Sequence, residues 1–236
     1  MESEIMKEAI PYTDNVYKNP NNQNVIFNCR TREQPIYRLL DNKQWIDNFF
    51  DKGELSLSCI LKFRNYPGEI QGDREEGSMS KWFYTDFGIR GLTYESGLNG
   101  YILCTSLQLT AKIKNDFNAV GAIKIINPTY FALEVMSKIN DCTQTIKGKC
   151  NYVNSRAYKG QSEKMREILE QDDYLNNPLF QKELLNSTFE DELFLKRKLY
   201  ESQDEYRMIW FKNEIISDAM LINCPEAIRH CQRIDF

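Results

Sequence analysis

Gln203-Asp204-Glu205-Tyr206-Arg207-Met208-Ile209-Trp210-Phe211 is the stretch on which the fold turns. A polar Q-x-E runs without a break into an apolar, aromatic-rich segment, the pattern of a strand with a polar mouth. Successive strand residues alternate faces, so residues two apart project the same way, about 6.6 Å apart. Gln203, Glu205 and Arg207 are therefore expected on one face, and Asp204, Tyr206, Met208 and Trp210 on the other. An amide beside a carboxylate suits a sugar: each holds a hydroxyl, and the carboxylate also faces a developing cation. The same residues also read as a plain strand end at which Glu205 pairs with Arg207.

Composition narrows what such a strand can belong to. With 236 residues, of which 42% are hydrophobic and 12% aromatic, the chain can build one large folded domain and is not a disordered one. A net charge of -4 leaves no global basic field for nucleic acid, although a local basic groove remains compatible with it. Seven cysteines, odd in number and irregularly spaced, read as reduced thiols, so a cytoplasmic protein is expected. No secretory signal and no membrane-length apolar run is present, so no membrane role is expected. His230 is the single histidine, which excludes mechanisms that need two or three.

Upstream, residues 1–34 read as an N-terminal arm, with a helical pattern over Met6 to Ile10 and a short strand at Val25-Ile26-Phe27. Pro35 to Leu40 is a compact strand signal with Arg38 embedded in it. An arginine there needs an anion, either a phosphate held by its planar fork or a structural carboxylate. Asp41 is read as the cap of a helix over Asn42 to Asp51, with Gly53 as its stop, and Leu55 to Phe63 as the next strand. The segment from Arg64 to Ser78 carries Tyr66, Asp73, Arg74, Glu75 and Glu76 and is read as a functional loop, too charged for core. Its acids lack further ligands at a sensible spacing, so no metal is expected.

Further strands are expected over Gly100 to Leu107, ending in Thr105 and Ser106, and over Lys149 to Val153. Ala122 to Ile126 is apolar, and Tyr130 to Met136 stays open between strand and helix. Residues 161–200 turn helical in spacing and form an insertion, with Lys196-Arg197-Lys198 as the basic end of an amphipathic helix. Ala219 to Ile222 is read as the last strand and Cys224 to Cys231 as a closing helix.

An arginine on an early strand, hydroxyls closing a middle strand and Q-x-E on a late strand resemble the arginine, serine, glutamate order of the ADP-ribosyltransferases. Phe63-Arg64-Asn65-Tyr66, Gly72-Asp73-Arg74-Glu75-Glu76-Gly77, Gln203 to Arg207 and Cys224 to Ala227 also resemble short motifs of bacterial proteins, among them phage-defence toxins. The likeness spans about 35–236. It implies an α+β fold of two facing, mostly antiparallel sheets, with a split that holds NAD and peripheral helices. Cys104-Thr105-Ser106 stands where that family has serine-threonine-serine, which leaves Thr105 and Ser106 both open as the functional hydroxyl. Gln203 replaces the first glutamate, which turns the expected acceptor away from arginine.

The resemblance implies a mono-ADP-ribosyltransferase toxin with NAD as co-substrate and no metal. Breaking the nicotinamide–ribose bond needs no histidine, since the pyridinium leaves neutral; it needs a carboxylate, a cation and an aromatic wall. Glu205 is assigned the ribose and the developing cation, Arg38 an NAD phosphate, Ser106 with Thr105 the orientation of Glu205, and Gln203 the acceptor. Tyr37, Tyr66 and Tyr84 are the stacking candidates, and Arg64 and Arg74 further phosphate contacts. The acceptor is read as macromolecular, with single-stranded RNA weighed slightly above protein. A neutralising antitoxin is the partner such a toxin implies. NAD glycohydrolysis and a non-catalytic interaction domain are the competing readings.

Overall fold

The computed structural model describes residues 13–18, 21, 23–29, 33–66, 73–160, 162–187 and 191–236. The first half of the chain contains β1 (Thr13–Lys18), β2 (Asn24–Cys29), β3 (Ile36–Leu40), α1 (Lys43–Lys52), β4 (Glu54–Cys59), α2 (Ile60–Asn65), β5 (Ser78–Thr85), β6 (Gly88–Glu95) and β7 (Gly100–Ser106). Then come α3 (Ala111–Asp116), β8 (Gly121–Ile125), α4 (Pro128–Met136), β9 (Gln144–Lys149), β10 (Asn151–Val153) and β11 (Ala157–Lys159). The remainder holds α5 (Glu163–Leu169), α6 (Pro178–Ser187), β12 (Leu195–Arg197), β13 (Glu205–Phe211), β14 (Met220–Asn223) and β15 (Cys231–Asp235). The fold is mixed α+β, with mostly antiparallel pairing and peripheral helices.

Strand β13 is the centre of a ten-stranded sheet ordered β1-β2-β9-β13-β7-β3-β8-β15. The sheet branches at β7. Its Ser106 end pairs with β3, whereas Tyr101 and Ile102 pair with β4, which carries β14 on its other edge. A three-stranded sheet, β11-β5-β6, and the short pair β10-β12 complete the strands.

All seven residues of β13 are buried, and their alternation divides the interior in two. Tyr206, Met208 and Trp210 enter a large core with Ile36, Phe49, Leu57, Ile123 and Phe131. Ile209 and Phe211 enter a smaller one with Ile60, Ile102, Ile146, Leu193 and Phe194. The Trp210 indole Nε1 donates to the Ala132 carbonyl, 3.0 Å away, so its polar atom is satisfied inside the core.

Several boundaries differ from the sequence reading. Asn42, not Asp41, caps α1: its side chain accepts from the Gln44 amide at 2.8 Å. Gly53 does close that helix, with φ 72 and its amide on the Phe49 carbonyl. The Leu55 to Phe63 strand ends at Cys59, where Ile60 starts α2 and turns into the smaller core. Tyr130 to Met136 is helical within α4. The helix expected through Tyr200 stops at Ser187, and Leu195–Arg197 is a strand parallel to β10. Successive apolar residues Leu193, Phe194 and Leu195 are all buried, which a one-faced amphipathic helix cannot achieve. The closing helix is a 3-10 turn over Pro225–His230, followed by β15, which pairs with β8. Residues 67–72, with Gly72 of the loop motif, and the Met6 to Ile10 helical pattern lie outside the described residues. Among the described residues, no helix is long and apolar enough to cross a membrane.

Candidate active site around Glu205

The polar end of β13 continues the face that carries Ile209 and Phe211. Glu205 begins the strand, and Asp204 before it adopts a left-handed conformation, φ 41, which aspartate tolerates. That kink removes Gln203 from the strand ladder, yet Gln203 and Glu205 still converge on one cation. Lys196 Nζ donates to Gln203 Oε1 at 2.7 Å and to Glu205 Oε2. Arg207 Nε donates to Glu205 Oε1 at 2.5 Å. The other edge of the Arg207 guanidinium grips Glu76 through both carboxylate oxygens, at 2.5 and 2.9 Å. Two acids and two bases thus form a chain, Glu76–Arg207–Glu205–Lys196, in which the charges cancel. Glu205 is 3% exposed and Arg207 1%.

Burial alone raises the Glu205 carboxyl, but the Arg207 and Lys196 cations outweigh it and hold it far below the usual carboxylate range. Burial lowers the Lys196 ammonium, and the Glu205 charge overrides it, so Lys196 stays protonated. Nearby thiols respond the opposite way. Burial pushes Cys150 up to about 12 and Cys104 well above its ordinary value, so neither supplies a thiolate nucleophile.

The hydroxyls of the middle strand are tied to backbone. Ser106 Oγ donates to the Gln203 carbonyl at 2.7 Å and accepts from the Gln108 amide at 3.2 Å. Thr105 Oγ1 donates to the Tyr206 carbonyl at 2.8 Å. Ser106 therefore orients the Q-x-E segment through its main chain. Tyr37 stands opposite Ser106, and Ser106 opposite Glu205, in one row across β3, β7 and β13. Arg38 follows Tyr37; its Nη1 donates to the Cys104 carbonyl at 2.8 Å, and burial lowers its guanidinium.

The other candidates are spread more widely. Arg64 donates to the Glu76 carbonyl at 2.7 Å and bridges Glu95 at 2.8 Å, so it braces the segment behind Arg207. Arg74 is exposed. Tyr66 and Tyr84 are 49% and 60% exposed, and Tyr84 belongs to the three-stranded sheet. The loop judged too charged for core supplies two buried acids, Glu76 and Asp73, because each meets an arginine; Asp73 lies 2.7 Å from Arg156. Lys196, expected at a solvated helix end, is buried with its ammonium hydrogen-bonded to Glu205 and Gln203. Tyr152 is a further member that no motif marked: its hydroxyl accepts from the Glu205 amide at 2.6 Å.

One surface hollow, lined by Asp41, Asn42, Lys43, Trp45, Val120, Asp235 and Phe236, lies at the β3–α1 corner, beyond the far end of β3 from Tyr37. Among the described residues, no group of three histidine, cysteine or acidic side chains could hold a metal ion. Compared with protein-family models, curated proteins and solved structures, the chain has no significant match.

Proposed function

We propose that the chain is an NAD-dependent mono-ADP-ribosyltransferase with Glu205 as its catalytic carboxylate, acting as a toxin in phage defence on a macromolecular acceptor. The observation that supports this most is the sheet order. The strands bearing Arg38, Ser106 and Glu205 are consecutive neighbours, with Tyr37, Ser106 and Glu205 in a single row. On this reading NAD lies along that row, where the sheet branches at β7.

The bond between ribose C1′ and the nicotinamide nitrogen breaks with its electron pair going to nicotinamide, which leaves neutral. Positive charge develops on the ribose, and the Glu205 carboxylate, held ionised by its cations, faces it. Gln203 positions the acceptor, whose nucleophile bonds to C1′ and releases its proton to water. Arg38 takes a phosphate. A ribose reaches Glu205 only when Lys196 swings off Oε2, so displacement of Lys196 is a required step of NAD binding.

A second reading has its own observation. Both carboxylate oxygens of Glu205 are engaged and the group is buried, as in a purely structural ion pair that belongs to a non-catalytic interaction domain. Nicotinamide release separates the two. Wild-type protein releases it, whereas Glu205→Gln and the charge-balanced pair Lys196→Met/Glu205→Gln lose on the order of 10² to 10³ in rate. Release by the folded double variant at the wild-type rate would remove Glu205 from the chemistry. No release by wild type with any acceptor favours the structural reading.

A further inference from the structure

The row that holds Tyr37, Ser106 and Glu205 does not end at Tyr37. Lys124 on β8 stands opposite Tyr37, and Gln232 on β15 stands opposite Lys124. Five adjacent strands therefore set Gln232, Lys124, Tyr37, Ser106 and Glu205 side by side on one face. The alternate residues Ile123, Ile125 and Cys231 pack in or against the large core, which leaves Lys124 and Gln232 on the opposite face, that of Glu205. Exposure rises along the row. Glu205 and Ser106 are 3% and 2% exposed, Tyr37 and Lys124 are half-buried, and Gln232 is exposed. The row leads from the buried carboxylate out to solvent.

Lys124 also differs from the other half-buried lysines among the described residues. Lys138 and Lys212 are paired with Glu226 and Glu214, and Lys81 and Lys114 lie over the rings of Tyr94 and Phe236. The Lys124 ammonium has no carboxylate, carbonyl or ring as its partner among the described residues. Its neighbours on this face are neutral: Ala122 on β8, Tyr37 and Leu39 on β3, and Gln232 and Ile234 on β15. A partly desolvated cation among neutral groups is costly unless an anion meets it.

Resting on the reading that NAD lies along this row, we propose that Lys124 binds the phosphate of the adenylate half of NAD. Lys124 lies three strands from Glu205, about 14 Å at the strand spacing, and one strand farther out than Arg38. The ribose that reacts at Glu205 carries the first phosphate, and the phosphate joined to adenosine comes next along an extended molecule. A lysine on its flexible four-carbon stem meets that phosphate as a point charge. The bound phosphate supplies the counter-charge that the chain itself does not.

Isothermal titration tests this with ADP-ribose and AMP, which carry the adenylate phosphate, and with nicotinamide mononucleotide, which carries only the other. Lys124→Gln is expected to weaken ADP-ribose and AMP about tenfold, Lys124→Arg to retain most of the affinity, and neither to change nicotinamide mononucleotide binding. Nicotinamide release by Lys124→Gln is expected to show a KM for NAD raised about tenfold with kcat nearly unchanged. Urea unfolding of Lys124→Gln should match wild type, because the ammonium has no partner in the chain to lose. Equal affinity of wild type and Lys124→Gln for ADP-ribose overturns the assignment, as does no ADP-ribose binding by wild type. An equal loss for nicotinamide mononucleotide overturns the choice of phosphate. Lys124-dependent ADP-ribose binding by a wild type that releases no nicotinamide would keep the phosphate site and remove the transfer chemistry. Nicotinamide release with a KM indifferent to Lys124→Gln would do the reverse, so the two failures read out separately.

Discussion

Replacing Glu205 by glutamine removes one charge from a neutral buried chain of four and exchanges one acceptor oxygen for a donor. Oε1 serves Arg207 Nε and Oε2 serves Lys196 Nζ, so whichever way the new amide turns, an N–H faces an N–H. One base is then buried without its counter-charge. Breaking such a pair costs about 3–5 kcal/mol. For a domain of this size that lowers the melting temperature by roughly 6–20 °C. Replacing Lys196 by methionine at the same time restores charge balance around the intact Glu76–Arg207 pair, and most of the loss should return. Urea unfolding followed by tryptophan fluorescence at pH 7 measures all four corners of the cycle. A loss below about 1 kcal/mol for Glu205→Gln, or additive effects of the two substitutions, refutes the coupled buried pair.

Acid stability follows from the same group. The depressed Glu205 carboxyl adds stability that is present above its unfolded value of about 4.3 and is lost as pH falls below it towards the folded value. Lys196→Met/Glu205→Gln should therefore show an acid limb shallower by up to ~1.4 kcal/mol per pH unit in a urea series between pH 5 and 2. Ser106→Ala removes the hydroxyl that donates to the Gln203 carbonyl and accepts from the Gln108 amide, at a cost of about 1–3 kcal/mol. Hydrogen exchange should quicken at Gln108 while Ile209 in mid-strand stays protected. Gly53→Ala forces a Cβ within 2.2 Å of the Pro225 nitrogen at φ 72, and a loss above about 2 kcal/mol in chemical unfolding is expected.

What the sequence disclosed depended on how local the signal was. The β13 run from Tyr206 to Phe211 was legible because two cores bury both its faces, which leaves an unbroken apolar and aromatic string around Arg207. The pairing of Glu205 with Arg207 followed from period-two spacing and holds at 2.5 Å. The rest of the chain of charges was not legible. Glu76 lies 131 residues from Arg207, and nothing near it in sequence tells a buried acid from a solvated one. Lys196 was hidden in a Lys-Arg-Lys run whose neighbours Arg197 and Lys198 are exposed, so composition averaged a buried cation with two solvated ones. β15 was missed because Cys231 to Asp235 is polar and half exposed, an edge strand with little apolar alternation to mark it.

The measurement closest to the central claim is incubation of the protein with NAD labelled on its adenylate and with cell extract, followed by separation of protein from RNA. Wild type, Glu205→Gln and Lys196→Met/Glu205→Gln are run side by side. The expected result is label fixed in the RNA fraction by wild type and lost in both variants, with the double variant still folded. Label in protein would keep the transfer and change the acceptor, and free ADP-ribose alone would make the chain a glycohydrolase. Label fixed equally by the folded double variant would contradict Glu205 as the catalytic carboxylate. No cleavage by wild type would leave the carboxylate as the centre of a structural ion pair.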